Sequence, residues 1–304
     1  MPADPDVFET HRPALLALAY RMLGDLSRAE DVVQDAWLRW DRADVEVDTP
    51  KTFLLTTVAR LCLDDLGSAR ARREENRSDR LPEPIDLDDG GLARFETLDQ
   101  VSMAFLVLLQ RLTPTERAVF LLHDVFDMDH LEIAALLGKS DSACRQVLER
   151  ARDHVAAERR AFQTSHDEQR RLLLAFIHAV STGDASSLTA LLAEDAMLIV
   201  DPGPNPTSFG RLRRIGKPVV GRARVAAVIE AFSAQDDATR LTFVERALNG
   251  QPAMVALLDG RILAVAFLSV ADGRIRHLFF QGDPQRLRHI SPPDPSTSRD
   301  PSSS

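Results

Sequence analysis

The spacing of apolar residues changes from helical to strand-like after Ser165, and this change constrains the fold more than any other feature of the chain. Before that point apolar residues recur every three or four positions, which predicts amphipathic helices. Farther along, short apolar runs are separated by Asp259-Gly260 and Asp272-Gly273, and such pairs favour hairpins between neighbouring strands. We therefore predict a multidomain protein in which helical domains precede an α+β domain with an antiparallel sheet.

A segment rich in Pro, Gly and acidic residues interrupts the helical half of the chain. Its sequence, SDRLPEPIDLDDGGLARF, is typical of an extended, flexible linker. The end of the chain, SPPDPSTSRDPSSS, is too polar to bury a core and is predicted to be disordered. The sequence thus predicts five parts: a helical domain at 1–77, the linker at 78–95, a second helical domain at 96–163, an α+β domain at 166–290 and a tail at 291–304.

The charge balance excludes a uniformly basic protein. The chain holds 46 Asp and Glu against 37 Lys and Arg, so binding to nucleic acid must rely on local basic clusters. Its apolar runs are too short for a membrane-spanning helix, and its acidic start does not resemble a signal peptide. Cys62 and Cys144 lie far apart in helical patterns, which indicates small core residues. We expect a soluble, cytoplasmic protein without a membrane partner.

The pattern from residue 113 to residue 155 predicts a helix-turn-helix. Capping signals at 113–116 and 129–132 precede two helices, Gly138 ends the second, and Ser140 caps a third. If Cys144 points inward, the start and outward face of the third helix carry side chains that can reach base edges or phosphates: Lys139, Ser140, Ser142, Arg145, Gln146, Glu149, Arg150 and Arg152. A helical hairpin with an ordinary solvated face is the alternative interpretation.

Two further stretches are basic. Residues 60–77 include Arg70, Arg72 and Arg73 beyond the apolar part of a helix, which suits phosphate contact. Glutamates at 74 and 75 fit a salt-bridged, solvated helix end equally well. Residues 211–224 hold six Lys or Arg and no acid, so they are candidates to meet DNA, the acidic linker or only solvent.

Candidates for catalysis are few. His277 and Asp201 are candidates for an Asp–His pair that transfers protons, although a surface histidine or one with satisfied hydrogen bonds explains His277 as well. The sequence shows no catalytic triad, metal-ligand spacing or phosphate-binding loop. We therefore predict no catalytic residue, no metal and no cofactor.

Several segments together resemble an extracytoplasmic-function (ECF) sigma factor of RNA polymerase. AEDVVQDAWLRW followed by TFLLTTVARLCLDDLGSARARREE resembles sigma region 2, and LTPTERAVFLLHDVFDMDHLEIAALLGKSDSACRQVLERAR resembles sigma region 4. The LPEP sequence of the linker and the SnoaL-like last domain resemble the SigJ-like subgroup. The resemblance implies two all-α sigma domains, a region 2 bundle and a region 4 helix-turn-helix, plus an α+β SnoaL-like cone with a curved antiparallel sheet.

The resemblance also implies partners and site residues. The expected partners are the RNA polymerase core, bound through its β′ clamp and β flap, and promoter DNA, bound at its −10 and −35 elements. The resemblance assigns polymerase binding to Asp31, Gln34, Asp35, Leu38 and Arg39. It assigns binding of the −10 element to Arg60, Asp64, Arg70, Arg72 and Arg73. Binding of the −35 element is assigned to the third helix of the predicted helix-turn-helix, at Arg145, Gln146 and Glu149.

In the subgroup that the chain resembles, the C-terminal domain is a built-in regulator. We hypothesise an intramolecular contact between this domain and the sigma domains, motivated by charge complementarity with the acidic linker. Its predicted members are Leu81, Pro82, Glu83, Pro84, Asp201, Arg213, Arg214, Lys217, Asp283, Pro284, Arg286 and Leu287. Residues 201–205 and 282–287 stand where the subgroup has DGGGK and NPDKL motifs. Whether the domain inhibits or activates, and whether it binds an unknown small-molecule ligand, stays open at this point.

Two other functions are also compatible with a DNA-binding helix-turn-helix. One is a one-component transcription regulator whose last domain senses a small molecule; it has no use for residues 7–77. The other is a SnoaL-like enzyme fused to a DNA-binding module, which requires a working Asp–His pair.

Overall fold

The computed structural model describes residues 4–42, 49–68, 80–86, 102–159, 164–203, 217–233 and 240–292. Three helices come first: α1 (Pro5–Leu23), α2 (Leu26–Asp41) and α3 (Pro50–Gly67). Asp4 caps α1 and Asp25 caps α2, because each carboxylate accepts a hydrogen bond from a backbone N–H of the first turn. Gly24 ends α1 in the left-handed region, at φ 65°. Only Gly24 and Asp25 therefore separate α1 from α2.

Four helices form the second helical domain: α4 (Met103–Arg111), α5 (Pro114–Phe120), α6 (His130–Leu137) and α7 (Asp141–Arg159). α5 continues as a π-helical turn at Leu121–Val125. Both predicted capping boxes are present, Thr113 with Glu116 and Asp129 with Glu132. Gly138 ends α6 at φ 60°, so α6 and α7 form the predicted helix-turn-helix.

The two helical domains share one hydrophobic core, whose buried members run from Phe8 to Val155 and come from all seven helices. Buried Arg117 joins the domains, since its Nε donates to Leu109 O at 2.8 Å and its Nη1 donates to Met22 O. α3 also contacts α5 and α6 directly. The linker between the domains therefore does not hold them apart.

The α+β domain begins with α8 (His166–Thr182) and α9 (Ala185–Leu191). The rest of the domain comprises β1 (Leu192–Asp201), β2 (Val219–Val220), α10 (Arg222–Ser233), β3 (Leu241–Leu248), β4 (Gln251–Leu258), β5 (Arg261–Ala271), β6 (Arg274–Gln281) and α11 (Pro284–Leu287). The described strands form one sheet in the order β2-β1-β6-β5-β4-β3. This arrangement confirms the predicted α+β fold.

The sheet is mixed rather than wholly antiparallel. Asp259 and Asp272 have φ near 52° and 51°, and the hairpins predicted at these two turns are present. β1 and β6, however, run parallel, so the expectation of a purely antiparallel sheet is wrong at this pair. Because the chain passes through β2, α10 and three more strands before it reaches β6, no hairpin forces β1 and β6 to run in opposite directions.

The two faces of the sheet have different neighbours, since alternate residues of a strand point to opposite sides. One face packs against the helices of its own domain, with Leu198, Met254 and Phe280 among the buried residues. The opposite face packs against Leu81 of the linker and Met103 of α4. This second face brings the C-terminal domain against the helical domains.

Candidate functional site

Residues 81–86, which we call the buried linker, lie between the α1–α2 junction and the sheet. All six residues are buried, and Leu81 and Glu83 are each only 1% exposed. The composition of the whole linker predicted an extended, flexible connection, whereas Leu81 to Pro84 were also predicted to contact the C-terminal domain. Burial instead requires each of its backbone polar groups to find a partner within the protein.

The first end of the buried linker is held by the sheet and by α11. Leu81 N donates to Asp201 Oδ2 at 2.9 Å, at the end of β1. Leu81 O accepts from Gln281 Nε2 at 3.1 Å and from Arg286 Nη1 at 2.7 Å. Leu287 is buried in the same apolar cluster as Leu81. Four residues that are distant in sequence thus converge on one linker residue.

The other end of the buried linker is held by the turn between β3 and β4. Ile85 N donates to Asn249 Oδ1 and Ile85 O accepts from Asn249 N, both at 2.9 Å. Asn249 Nδ2 also donates to Tyr20 Oη at 2.9 Å, so this amide joins α1 to the sheet. Asp86 forms a buried ion pair with Arg246. The sequence predicted none of Tyr20, Arg246, Asn249 and Gln281 as site residues.

Glu83 ties the middle of the buried linker to the α1–α2 junction. Its backbone N donates to Gly24 O at 2.9 Å, and its carbonyl accepts from Tyr20 Oη at 2.5 Å. Its carboxylate Oε2 accepts from Leu26 N at 2.7 Å, at the first residue of α2. A carboxylate at a helix N-terminus is favoured by the helix dipole and by the free N–H groups there.

The pKa of Glu83 is raised to about 7, chiefly by burial and also by the charge of Asp25, although the Leu26 N–H bond and Arg286 oppose the shift. Among the described residues, Glu83 Oε1 has no hydrogen-bond partner, and His289 Nε2 lies 3.6 Å away. The carboxylate is therefore held in a site that disfavours its charge.

Arg286 bridges all three parts of the interface. Its Nη1 donates to Gly24 O at 3.0 Å as well as to Leu81 O, and its Nη2 lies 3.6 Å from Asp25 Oδ2. Burial lowers the pKa of this guanidinium. Because its donors are aimed at backbone carbonyls of α1 and of the buried linker, Arg286 depends on both being in place.

Residues 201–203 and 282–287 lie against each other. Gly282 N donates to Asp201 O at 2.8 Å, and Asp283 caps α11, which begins at Pro284. A side chain at Gly203 would come within 2.9 Å of Asp283, so the contact requires glycine there. Asp201, Asp283, Pro284 and Leu287 thus lie at or beside the buried linker, as does Arg286.

Within residues 217–224, the part of the basic stretch that the structure describes, neither Lys217 nor Arg222 supplies a cation to the buried linker. Lys217 is exposed before β2 and makes no hydrogen bond or ion pair with the linker residues that the structure describes, which corrects the expectation for this residue. Arg222 pairs with Glu194 at 2.8 Å inside its own domain. Arg213 and Arg214 lie outside the described residues. Arg246 and Arg286 provide the cationic contacts instead, because they approach from strands and helices that pack on the linker.

The helix-turn-helix presents its predicted DNA-contacting side chains to solvent. Cys144 is buried on α7, and the exposed residues are Lys139, Ser140, Ser142, Arg145, Gln146, Glu149 and Arg150. Ser140 Oγ accepts from Ala143 N at 3.2 Å and so caps α7. Arg145 pairs with Asp141 at 2.9 Å, and Arg152 is held by Asp124. An exposed ion pair of this kind contributes little and can be exchanged for a phosphate or a base.

The predicted polymerase-binding residues share one face of α2. The exposed residues are Asp31, Gln34, Asp35, Leu38 and Arg39, opposite a buried stripe that includes Val33 and Trp40. Leu38 is 43% exposed and lies between the charged side chains of this face. On α3, Arg60 and Asp64 are exposed one turn apart. Arg70, Arg72 and Arg73 lie outside the described residues.

The candidate Asp–His pair does not form. His277 pairs in register with Met197, whereas Asp201 pairs with Gln281 at the other end of the same two strands. Four residues of strand separate them, which is roughly 13 Å. Burial lowers the pKa of His277 to about 4, and its neighbours are Ser269 and Phe279.

Comparison with known proteins agrees with this geometry. Family models for Sigma-70 region 2 and Sigma-70, region 4 match residues 7–72 and 102–155. The ECF RNA polymerase sigma factor SigJ of Mycobacterium tuberculosis is 34% identical, across 94% of this chain and 96% of its own. A probable ECF RNA polymerase sigma factor of the same species, SigI, is 35% identical across 92% of this chain and 93% of its own.

The crystal structure of M. tuberculosis SigJ superimposes with a TM-score of 0.73 at 28% identity, covering 95% of this chain and 100% of that one. The fold and the two matched regions define a sigma factor of the sigma-70 type. The chain belongs to the ECF RNA polymerase sigma factors. None of the helices in the described ranges combines the length and apolar character needed to cross a lipid bilayer.

Replacing Asn249 tests whether it fastens the buried linker. Asn249 has φ 53°, so Asn249→Gly keeps the turn while removing the amide that bonds Ile85 N and Tyr20 Oη. We expect the free energy that holds the buried linker in the interface to fall by about 1–3 kcal/mol. Amide hydrogens of residues 80–86 should therefore exchange faster. Asp272→Gly, at an exposed turn with φ 51°, is the matched control and leaves that exchange unchanged. Equal exchange in both variants contradicts the role of Asn249.

The raised pKa of Glu83 predicts a pH dependence of stability. The folded chain holds this proton more tightly than the unfolded chain, so the stabilisation is complete below about pH 4.5 and is lost as the pH rises to about 7. Glu83→Gln keeps an acceptor for Leu26 N and removes the titration. Denaturant unfolding from pH 4.5 to 8 should show wild type losing on the order of 2–3 kcal/mol relative to this variant. Exposed Glu230→Gln serves as the control, and parallel pH profiles for wild type and Glu83→Gln refute the assignment.

Proposed function

We propose that this chain is an alternative sigma factor that directs RNA polymerase core to specific promoters, with its SnoaL-like domain as a fused regulator. One observation carries the proposal: the outward faces of α2, α3 and α7 are exposed in a chain that matches sigma factors over nearly its whole length. α2 binds the β′ clamp, α3 and the residues beyond it bind the −10 element, and α7 binds the −35 element. Region 4 also contacts the β flap.

The exposed side chains of α7 suit the major groove. Arg145 and Gln146 have the donors that read guanine and adenine edges, and Glu149 can accept from a cytosine amino group. Lys139 and Arg150 flank them and suit phosphate contacts. Release of Arg145 from its exposed pair with Asp141 costs little.

The compact arrangement is incompatible with binding both promoter elements at once. Elements centred near −10 and −35 lie about 25 base pairs apart, or roughly 85 Å along the duplex. In this structure α3 contacts α5 and α6, and helices in contact have axes only about 10 Å apart. The two helical domains must therefore separate before both elements are read.

The buried linker adds a further connection to the shared core that keeps the two helical domains together. It is held at once by the α1–α2 junction, by the β3–β4 turn and by α11, so separation of the helical domains requires its release. We infer that the C-terminal domain inhibits promoter binding until the buried linker is freed. This proposal keeps the domain boundaries predicted from sequence: helical domains at 1–77 and 96–163, the linker at 78–95, the α+β domain at 166–290 and the tail at 291–304. The protein acts in the cytoplasm, where polymerase works. The activity is that of a non-enzymatic transcription regulator.

The sigma assignment is tested with purified chain and core polymerase. The chain should bind core and give run-off transcripts from genomic fragments, and the promoters mapped from them should carry paired elements. Asp35→Ala with Arg39→Ala should weaken core binding, while Arg145→Ala with Gln146→Ala should spare it and lose transcription, at about 1–3 kcal/mol per base contact. Glu9→Ala with Arg12→Ala, an exposed pair on α1, is the control. DNA binding without any core binding would instead identify a one-component regulator.

The inhibitory role of the interface is tested at Arg286. Arg286→Leu removes the bonds to Gly24 O and Leu81 O, so we expect faster amide exchange in residues 80–86 and severalfold more transcript at limiting sigma factor. Arg170→Leu, an exposed residue that pairs with Glu245 inside the C-terminal domain, is the control. Unchanged or reduced transcription, with core binding intact, means that the interface does not inhibit.

A further inference from the structure

One carboxylate lies where the C-terminal domain, the buried linker and the α1–α2 junction meet. Leu81 and Ile85 bond the C-terminal domain, whereas Glu83, midway between them, bonds Gly24 O and Leu26 N. Glu83 is only 1% exposed. It is thus the linker residue that binds the α1–α2 junction through both its backbone and its side chain, and displacing it detaches the linker from α1 and α2.

A negative charge on Glu83 lacks compensation at one of its two oxygens. Among the described residues, Oε1 of Glu83 accepts no hydrogen bond. His289 Nε2 lies 3.6 Å from this oxygen and already accepts from Arg288 Nε at 2.8 Å, so it cannot donate to Glu83 without losing that bond. The titratable or charged groups that face Glu83 are Tyr20 and Asp25 from the α1–α2 junction and Arg286, Arg288 and His289 from the C-terminal domain.

These surroundings favour a neutral Glu83 as long as the linker is buried. Burial and the charge of Asp25 raise its pKa to about 7 in spite of Arg286 and Arg288. Burial also raises the pKa of Tyr20, so this hydroxyl stays protonated and adds no charge. A proton on Oε1 leaves one buried hydroxyl without a hydrogen bond, which costs less than an uncompensated buried carboxylate. Once the linker is exposed to water, the carboxyl group returns to its ordinary pKa near 4.5 and its proton passes to solvent.

We propose that Glu83 is a proton gate: its proton holds the buried linker and the C-terminal domain on the α1–α2 junction, and loss of that proton favours their release. The closed form binds the proton more tightly than the open form, so its advantage is complete below about pH 4.5 and is lost as the pH rises to about 7. From pH 6 to pH 8 the population of the released form should rise about tenfold. The effect of the gate on transcription rests on the proposed inhibition by the C-terminal domain.

Release is measured on the full chain by amide exchange of Leu26 and of residues 80–86 between pH 6 and pH 8. Glu83→Gln keeps an acceptor for Leu26 N and has no proton to lose, so dividing the wild-type rate by the rate of this variant cancels the intrinsic pH dependence of exchange. We expect this quotient to rise about tenfold over the range. The same quotient for exposed Glu230→Gln, the control, should stay constant. A constant quotient for Glu83→Gln overturns the proposal.

Local release must also be distinguished from unfolding of the whole chain. If Leu26 and residues 80–86 exchange no faster than the most protected amides of α8, only unfolding frees the linker, and the proposal is overturned. Asp25→Asn provides a second test if Glu83→Gln does not fold, as checked by near-ultraviolet circular dichroism. This variant keeps an acceptor for Arg28 N at the start of α2 and removes a charge that raises the pKa of Glu83. The quotient of wild type to Asp25→Asn should therefore rise with pH, and a constant value overturns the proposal in that case.

The effect on transcription is measured with core polymerase at limiting sigma factor. The transcript yield of wild type divided by that of Glu83→Gln cancels the pH dependence of polymerase itself, and we expect this ratio to rise severalfold from pH 6 to pH 8. A rising exchange quotient with a constant transcript ratio overturns the regulatory part of the proposal. The Arg286→Leu transcription experiment is performed at a single pH, so a failure of the proposed inhibition is seen there independently of the proton gate.

Discussion

The closed arrangement depends on one constraint, which is that a buried linker must satisfy every backbone donor it carries. Pro82 and Pro84 carry none, so the donors of residues 81–85 are reduced to three alternating N–H groups. Leu81 and Ile85 donate to the C-terminal domain, whereas Glu83 donates to the α1–α2 junction. Each bond contributes only about 1 kcal/mol, but an unmade one costs more. The linker is therefore stable when buried only if both neighbours are present.

Apolar contacts also make the position of the buried linker depend on the helical domains and on the sheet together. The two helical domains share a core, and the sheet covers Leu81 and Met103 with its second face. Withdrawal of the sheet would expose apolar surface on both sides and leave Arg286 without the carbonyls of Gly24 and Leu81. Glu83 adds an opposing contribution near neutral pH, because its charge is poorly accommodated. The interface is thus stabilised by apolar packing and destabilised near neutral pH by the buried carboxylate of Glu83.

Local signals explain how much of the molecule was predictable from sequence. The capping boxes at Thr113 and Asp129 and the Asp-Gly hairpins depend on residues a few positions apart. The partners of the buried linker do not: Tyr20 and Asn249 are 229 residues apart, and no local pattern links them. Charge complementarity with the acidic linker predicted that Lys217 contacts it. The contacts of a buried interface depend instead on which side chains the packed strands and helices point into it. The parallel pairing of β1 with β6 escaped prediction for the same reason, since the pairing partner is set by the whole domain.

The exposure of α2 in the closed structure separates two events in time. Asp35 and Arg39 face solvent although the buried linker is fully engaged. If α2 is the polymerase-binding surface, as we propose, encounter with polymerase does not wait for the release of the linker. Under that proposal, the chain competes with the cell's other sigma factors for core while its linker is still buried, and it does so without committing the enzyme to a promoter. Under the same proposal, the amount of polymerase that carries this factor without initiating depends on the abundance of the factor, and the start of transcription depends on release of the linker.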